Sequence, residues 1–252
     1  MSTLCGLHGL FGRPDHWAAV RLAFGARHRV VAPALPLTLE QARGGVPALT
    51  RFVAGWLSAQ GIDQVVLLGN SFGGHVALDF ALRYPSRVAG LVLAGSAGLL
   101  ERGFTRGVPA SPSPAFVRAK LEEVFHDPRF VTEGLVREVH GLLEDRGYAR
   151  AMIAWARATR DYPMAEHLAA IFAPTLLVWG EEDRITPLAV AKAFLAGLPD
   201  AHLVTIPRCG HAPMLEAPGA FVAAVAGFLE RLAARGAGRA ATLARAEHAV
   251  VS

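Results

Sequence analysis

Ser71 stands in the stretch Gly69-Asn70-Ser71-Phe72-Gly73-Gly74, behind the apolar run Val65-Val66-Leu67-Leu68 and ahead of the helical pattern from His75 to Leu82. Strand, sharp turn and helix in that order hold a serine on strained backbone with its hydroxyl raised clear of the sheet. The flanking glycines are needed because a Cβ at either position would collide with the neighbouring strand or helix. Ser71 is therefore the candidate nucleophile. A serine hydroxyl attacks poorly until a histidine takes its proton and a carboxylate behind that histidine fixes the tautomer. Of the ten histidines, His211 is selected because Arg208-Cys209-Gly210-His211-Ala212-Pro213 directly follows the last strand. His28, His126, His140 and His167 read as solvated side chains of helices or loops. His75, one turn inside the helix behind Ser71, is expected to face packing. The acid must also follow a strand. In Gly180-Glu181-Glu182-Asp183-Arg184-Ile185-Thr186-Pro187, Asp183 is preferred because Pro187 marks a helix start four residues on. Glu181 and Glu182 read as surface charges on the turn.

Attack on a carbonyl creates an oxyanion that needs donors fixed in advance, each contributing roughly a hundred- to a thousandfold in rate. The backbone N–H of Phe72, at the start of a helix, is one candidate. The other is Leu10, in the loop His8-Gly9-Leu10-Phe11-Gly12 after the first apolar piece, with His8 organising that loop or touching substrate.

These side chains need a scaffold that brings strand ends together. The sequence predicts strands at residues 3–7, 30–32, 65–68, 88–94, 175–180 and 202–206, alternating with helices from about Pro14, through Leu49 to Leu57, from His75, from Pro187, and from Pro218 to Leu232. Alternating strands and helices imply an α/β fold, a mostly parallel sheet with helices on both faces. Active residues of such sheets lie beyond the carboxyl ends of strands, where Ser71, Asp183 and His211 all fall. The pattern changes over 97–172. A Gly/Pro/Ser-rich stretch from Gly103 to Pro114 leads into charged amphipathic helices over 116–125, 131–143 and 149–158, read as an inserted helical lid. The core is then 1–96 with 173–235, and 236–252 is an Ala/Arg/Gly tail expected to be frayed helix or disorder.

At 252 residues, 52% hydrophobic and 18% charged, the chain has room for one large domain with a full core. The net charge of +4 is carried by scattered arginines, with Lys120 and Lys192 the only lysines, and that scatter argues against a nucleic-acid partner. Cys5 and Cys209 belong to no ligand or disulfide pattern, so no metal is expected. No apolar run reaches membrane-spanning length, and Met1-Ser2-Thr3-Leu4 has no basic start before an apolar core. A cytoplasmic protein with a small-molecule substrate and no membrane partner is expected. Self-association into a homo-oligomer is left open.

Four pieces, L-H-G-L-F-G at the start, G-N-S-F-G-G at the elbow, L-L-V-W-G-E-E-D-R-I-T-P at the acid and C-G-H-A-P at the base, resemble the α/β-hydrolase superfamily over roughly residues 3–232. The branch is similar to the lidded serine hydrolases: carboxylesterases, hydrolases that split a carbon–carbon bond of ring-fission products next to a ketone, and a menaquinone-pathway synthase. The resemblance implies a Ser71–His211–Asp183 hydrolase that requires no cofactor. Arg157 and Arg160 of the lid have the guanidinium geometry to hold a substrate carboxylate, the alternative being solvated helix arginines. The alternative on this fold is a slow-turnover small-molecule receptor. Three departures stand out. Few residues precede His8, so either the sheet lacks the usual antiparallel edge or the start is truncated; Pro33-Ala34-Leu35-Pro36-Leu37 replaces the usual D-x-x-G-x-G; and Ala212-Pro213 follows the base where many ring-fission hydrolases have tryptophan.

Overall fold

The computed structural model describes residues 2–99 and 112–251, those from 238 onward as backbone alone. Six strands form one sheet: β1 (Thr3–Leu7), β2 (Arg29–Val31), β3 (Val65–Asn70), β4 (Val88–Ala94), β5 (Thr175–Gly180) and β6 (Ala201–Ile206), in the spatial order β2-β1-β3-β4-β5-β6. All five pairings are parallel, including Leu7 opposite Gly69 and Asn70 opposite Ala94. β3 and β5 are buried at every residue. That explains their unbroken Val/Leu composition, which strict alternation would not produce.

The two-residue period of the strands sorts their side chains between two cores. Cys5, Leu67, Leu93 and Trp179 face one side, where they meet α3 (Gly45–Ala59), α4 (Phe72–Arg83) and α8 (Leu188–Gly197). Leu4, Leu68, Val92 and Val178 face the other, against α1 (Ala18–Phe24) and α10 (Pro218–Val251). The helix expected from Pro14 begins as a 3-10 turn over Pro14–Trp17 before α1 takes over. A short α2 (Leu39–Ala42), capped by the Thr38 hydroxyl accepting from the Gln41 amide, was not foreseen, since four residues carry no readable period. α10 continues past Leu232, where the apolar pattern ends, to Val251. Alanine and arginine favour helix by intrinsic propensity, without a repeating apolar pattern.

The inserted segment forms α5 (Pro114–Val124), α6 (Glu133–Glu144) and α7 (Arg146–Arg160), close to the helices expected there. Most of the Gly103–Pro114 stretch lies outside the described residues. The insertion is divided between the two cores. α5 and α6 bury Val117, Leu121, Val136 and Val139 with Cys209, Ala212 and Met214 of the His211 loop and the short α9 (Pro213–Glu216). α7 instead buries Met152 and Trp155 on the α3–α4 side. Asp145 links the two halves, ending α6 and accepting from the Gly147 and Tyr148 amides to cap α7. A cavity opens between these halves over the carboxyl ends of the strands.

Candidate active site

Ser71 follows β3 at once and has φ +53°, ψ −121°, a conformation that a side-chain-bearing residue adopts only under constraint. The constraint is visible in its main chain. Its N–H donates to the Ala94 carbonyl at 3.1 Å, and its own carbonyl accepts from Gly74 at 2.9 Å and from Ala97 at 3.0 Å. The glycines are required as expected, each for a different neighbour. A Cβ at Gly69 would overlap the backbone of Gly73 and Gly74 at the head of α4. One at Gly73 would overlap the carbonyls of Leu7 and His8 on the adjoining strand.

Asp183 and His211 are joined: the imidazole Nδ1 lies 2.9 Å from Asp183 Oδ2, both residues being buried. The carboxylate also accepts from the Ile185 and Thr186 amides at 2.8 Å each through Oδ1, and from the Thr186 hydroxyl at 2.9 Å through Oδ2. A buried carboxylate with several donors is held in one orientation, and Nδ1–H donating to it leaves Nε2 as the nitrogen able to take a proton. Ser71 and His211 line the same cavity, yet no hydrogen bond joins the Ser71 hydroxyl to the ring. The link between their segments runs through Asn70, whose side-chain amide donates to the Ala94 carbonyl at 2.9 Å and to the His211 carbonyl at 3.0 Å.

Leu10 and Phe72 also border the cavity. Phe72 is the first residue of α4, so its N–H has no partner within the helix. Among the described residues no carbonyl accepts from either amide. His8, expected to organise the Leu10 loop or touch substrate, has both ring nitrogens engaged by the loops around it. It is buried, its Nδ1 bonds the Gly9 carbonyl at 2.8 Å, and its Nε2 accepts from the Leu35 amide at 3.1 Å. Both nitrogens are spent on backbone, and burial holds the ring below its ordinary pKa, hence neutral. Its role is to tie the Leu10 loop to the segment after β2. His75 is fully buried and stacked on Tyr162, the packing role expected of it.

Arg157 and Arg160 both lie on α7 and border the cavity. Arg160 pairs with Asp161 at 3.0 Å, whereas among the described residues no carboxylate pairs with Arg157. Phe72 packs on Trp155 with ring centroids 5.3 Å apart, so α7 also steadies the residue after Ser71.

Glu182 is a correction. Read as a surface charge, it is half-buried, and its Oε2 accepts from the Cys209 amide at 2.9 Å, fastening the Asp183 turn to the His211 loop. Glu181 is exposed and accepts from the Thr205 hydroxyl at 2.9 Å. Three groups that fasten the site's loops escaped the sequence reading: the Asn70 amide, the Thr186 hydroxyl and the Glu216 carboxylate, whose oxygens accept from the Gly210 and Asp127 amides. The first two had signals in reach, one beside Ser71 in the elbow and one three residues after Asp183 at turn spacing. Among the described residues no group of His, Cys, Asp or Glu could hold a metal ion. Cys5 and Cys209 are buried and free, their thiols pushed up to about 12 chiefly by burial, and so are inert as nucleophiles. No helix among the described residues is long and apolar enough to cross a membrane.

The Alpha/beta hydrolase family matches this chain over residues 7–225. The chain is 30% identical over 233 residues to the 2-hydroxy-6-oxo-6-phenylhexa-2,4-dienoate hydrolase of Burkholderia cepacia, covering 84% of this chain and 81% of that protein. It is 32% identical over 200 residues to the 2-hydroxy-6-oxononadienedioate/2-hydroxy-6-oxononatrienedioate hydrolase of Comamonas testosteroni, covering 73% and 68%. Among solved structures, an alpha/beta hydrolase from the metagenome of lagoon sediments at Mar Chica, Morocco, matches with TM-score 0.74 at 29% identity, over 91% of each chain. The meta-cleavage product hydrolase of Pseudomonas fluorescens matches with TM-score 0.79 at 25% identity, over 92% of this chain and 91% of that one. With its elbow, its acid–histidine pair and its parallel sheet, this chain belongs to the alpha/beta hydrolase family and is a hydrolase.

Proposed function

We propose that the protein is a serine hydrolase that acts at the ketone carbonyl of a small, carboxylate-bearing ring-fission product and splits the adjacent carbon–carbon bond. Simple carboxylic esters would use the same groups. The observation that carries this reading is the buried His211–Asp183 pair, 2.9 Å apart, at the cavity that Ser71 also lines. In this reading His211 Nε2 takes the Ser71 hydroxyl proton as Oγ bonds to the carbonyl carbon, and Asp183 stabilises the imidazolium formed. The Leu10 and Phe72 amides hold the oxyanion. The imidazolium then returns its proton to the departing carbon or alkoxide as the bond to the acyl carbon breaks. Water, deprotonated by His211, attacks the acyl-serine, releases a carboxylic acid and restores the hydroxyl. Each step conserves its proton between Ser71, His211, leaving group and water, so no cofactor is called for. Arg157, which borders the cavity and has no carboxylate partner among the described residues, supports a carboxylate on the substrate. The names of the Burkholderia and Comamonas relatives support the dienoate class.

The test is turnover of a panel of p-nitrophenyl esters and ring-fission dienoates by wild type and Ser71→Ala. Expected are wild-type cleavage of dienoates and a loss of at least about a thousandfold in the variant. Equal activity of the two proteins would remove the nucleophile. No turnover of any compound, with a small molecule raising the melting temperature, would favour a receptor.

A further inference from the structure

The chain around His211 is held at three consecutive amides by three separate elements. Cys209 N donates to Glu182 Oε2 at 2.9 Å, Gly210 N to Glu216 Oε2 at 2.6 Å, and His211 N to the Val124 carbonyl at 2.7 Å. Glu182 belongs to the acid turn, Val124 to the end of α5, and Glu216 to the end of α9, directly after the base. Glu216 does more than the other two, because its second oxygen, Oε1, accepts from the Asp127 amide at 2.6 Å. Asp127 begins the turn between α5 and α6. One side chain therefore grips the main chain immediately ahead of His211 and the main chain of the lid. The two segments touch so closely that a Cβ on Gly210 would overlap the Val124 carbonyl and crowd the His126 amide.

We propose that Glu216 is a positioning residue of the reaction, through which the α5–α6 half of the lid fixes the backbone that carries His211. The inference rests on the reading of His211 as general base. A carboxylate suits the task because it offers an acceptor to each amide and donates nothing; glutamine of the same shape can accept through its oxygen alone and turns an N–H towards the other donor. A residue needed only to fill space at the end of α9 would tolerate that exchange. A clasp would not. Small displacements of a reacting group are costly in rate, so the effect belongs in kcat more than in substrate binding.

The experiment compares full-length wild type, Glu216→Gln, Glu216→Ala and Ser71→Ala. Esterase kinetics on p-nitrophenyl butyrate at 10 °C and 25 °C are read alongside hydrogen exchange of the amides. Expected are kcat losses of about tenfold for glutamine and about a hundredfold for alanine at both temperatures, with KM within about threefold of wild type. Exchange should speed up together in residues 125–131 and 207–212, while residues 45–59 of α3 keep their protection. A Glu216→Gln kcat within about twofold of wild type overturns the proposal. So does faster exchange in only one of the two segments, or loss of protection in α3 as well, which would mark general loosening. If Glu216→Ala does not fold, the isosteric glutamine variant decides alone. Ser71→Ala with wild-type turnover would instead bring down the serine hydrolase reading itself, a failure that leaves the exchange results standing.

Discussion

The side-chain amide of Asn70 donates to the main-chain carbonyl of His211 at 3.0 Å, so the residue before the candidate nucleophile carries the residue proposed as its base. The same NH2 group reaches the Ala94 carbonyl at 2.9 Å, in a site only 6% exposed. Both acceptors are carbonyls, so the position demands a donor. Asn70→Ala is expected to lower kcat about tenfold and stability by about 1–2 kcal/mol. Asn70→Asp should do worse than alanine, because it sets a carboxylate against two buried carbonyl oxygens. Ester kinetics and denaturant unfolding of the two variants check the order. Asp outperforming Ala would refute it.

The Thr186 hydroxyl donates to the same Asp183 oxygen that His211 uses. Thr186→Val keeps the shape and removes that donor. The expected loss in kcat/KM is about tenfold, against about a ten-thousandfold loss for Asp183→Asn, which reverses the tautomer that the imidazole needs. Equal losses in the two variants would show that Thr186 matters for more than one hydrogen bond.

Gly73 packs its Cα against the carbonyls of Leu7 and His8. Gly73→Ala must push β1 and α4 apart, since backbone on both sides cannot rotate away. A loss of about 3 kcal/mol, or about 6–12 °C in thermal midpoint, is expected, together with damage to the Leu10 loop that β1 feeds. Gly55→Ala on α3, where a Cβ would meet nothing within 4 Å, is the control and should be neutral or slightly stabilising. Differential scanning calorimetry separates the two.

His75 makes folding sensitive to acid. Burial pushes its imidazole down to about 4, and the nearby Asp79 charge opposes that shift only in part. The unfolded chain, with an ordinary histidine pKa near 6.5, binds more protons than the native state between about pH 4 and 6.5, so stability falls as pH falls through that window and is complete above it. The contribution lost is at most about 3 kcal/mol. His75→Phe should flatten the difference in melting temperature between pH 7 and pH 4.5. An unchanged slope would assign the acid sensitivity to other groups.

Arg157 borders the cavity without a carboxylate partner among the described residues. Arg157→Gln is expected to raise KM for a dienoate acid by about ten- to a hundredfold, the scale of charge-assisted hydrogen bonds, and to leave a neutral p-nitrophenyl ester nearly unaffected. Equal effects on both would mean that the guanidinium holds the inserted helices and not the substrate. Arg160, already paired with Asp161, should show the smaller effect.

Much of this protein is written locally. The elbow, the strand runs of β3 and β5 and the glycines about Ser71 are readable because a strained turn and a doubly buried strand each impose residue types on adjacent positions. Asp183 and His211 are readable because each follows its own strand, and parallel strands put their carboxyl ends on one edge. What the chain order could not give is how those loops are fastened. Glu216 and Asp127 meet across 89 positions, and Asn70 and His211 across 141, so no local pattern marks either pair. The same limit explains His8 and Glu182. Their residue types fit a substrate contact and a surface charge, and only the packing of distant backbone amides against them assigns both to structural hydrogen bonds. The division of the inserted segment between two cores has the same origin: amphipathic periodicity shows that α5, α6 and α7 each bury a face, while which sheet face receives it depends on where the chain has already been led.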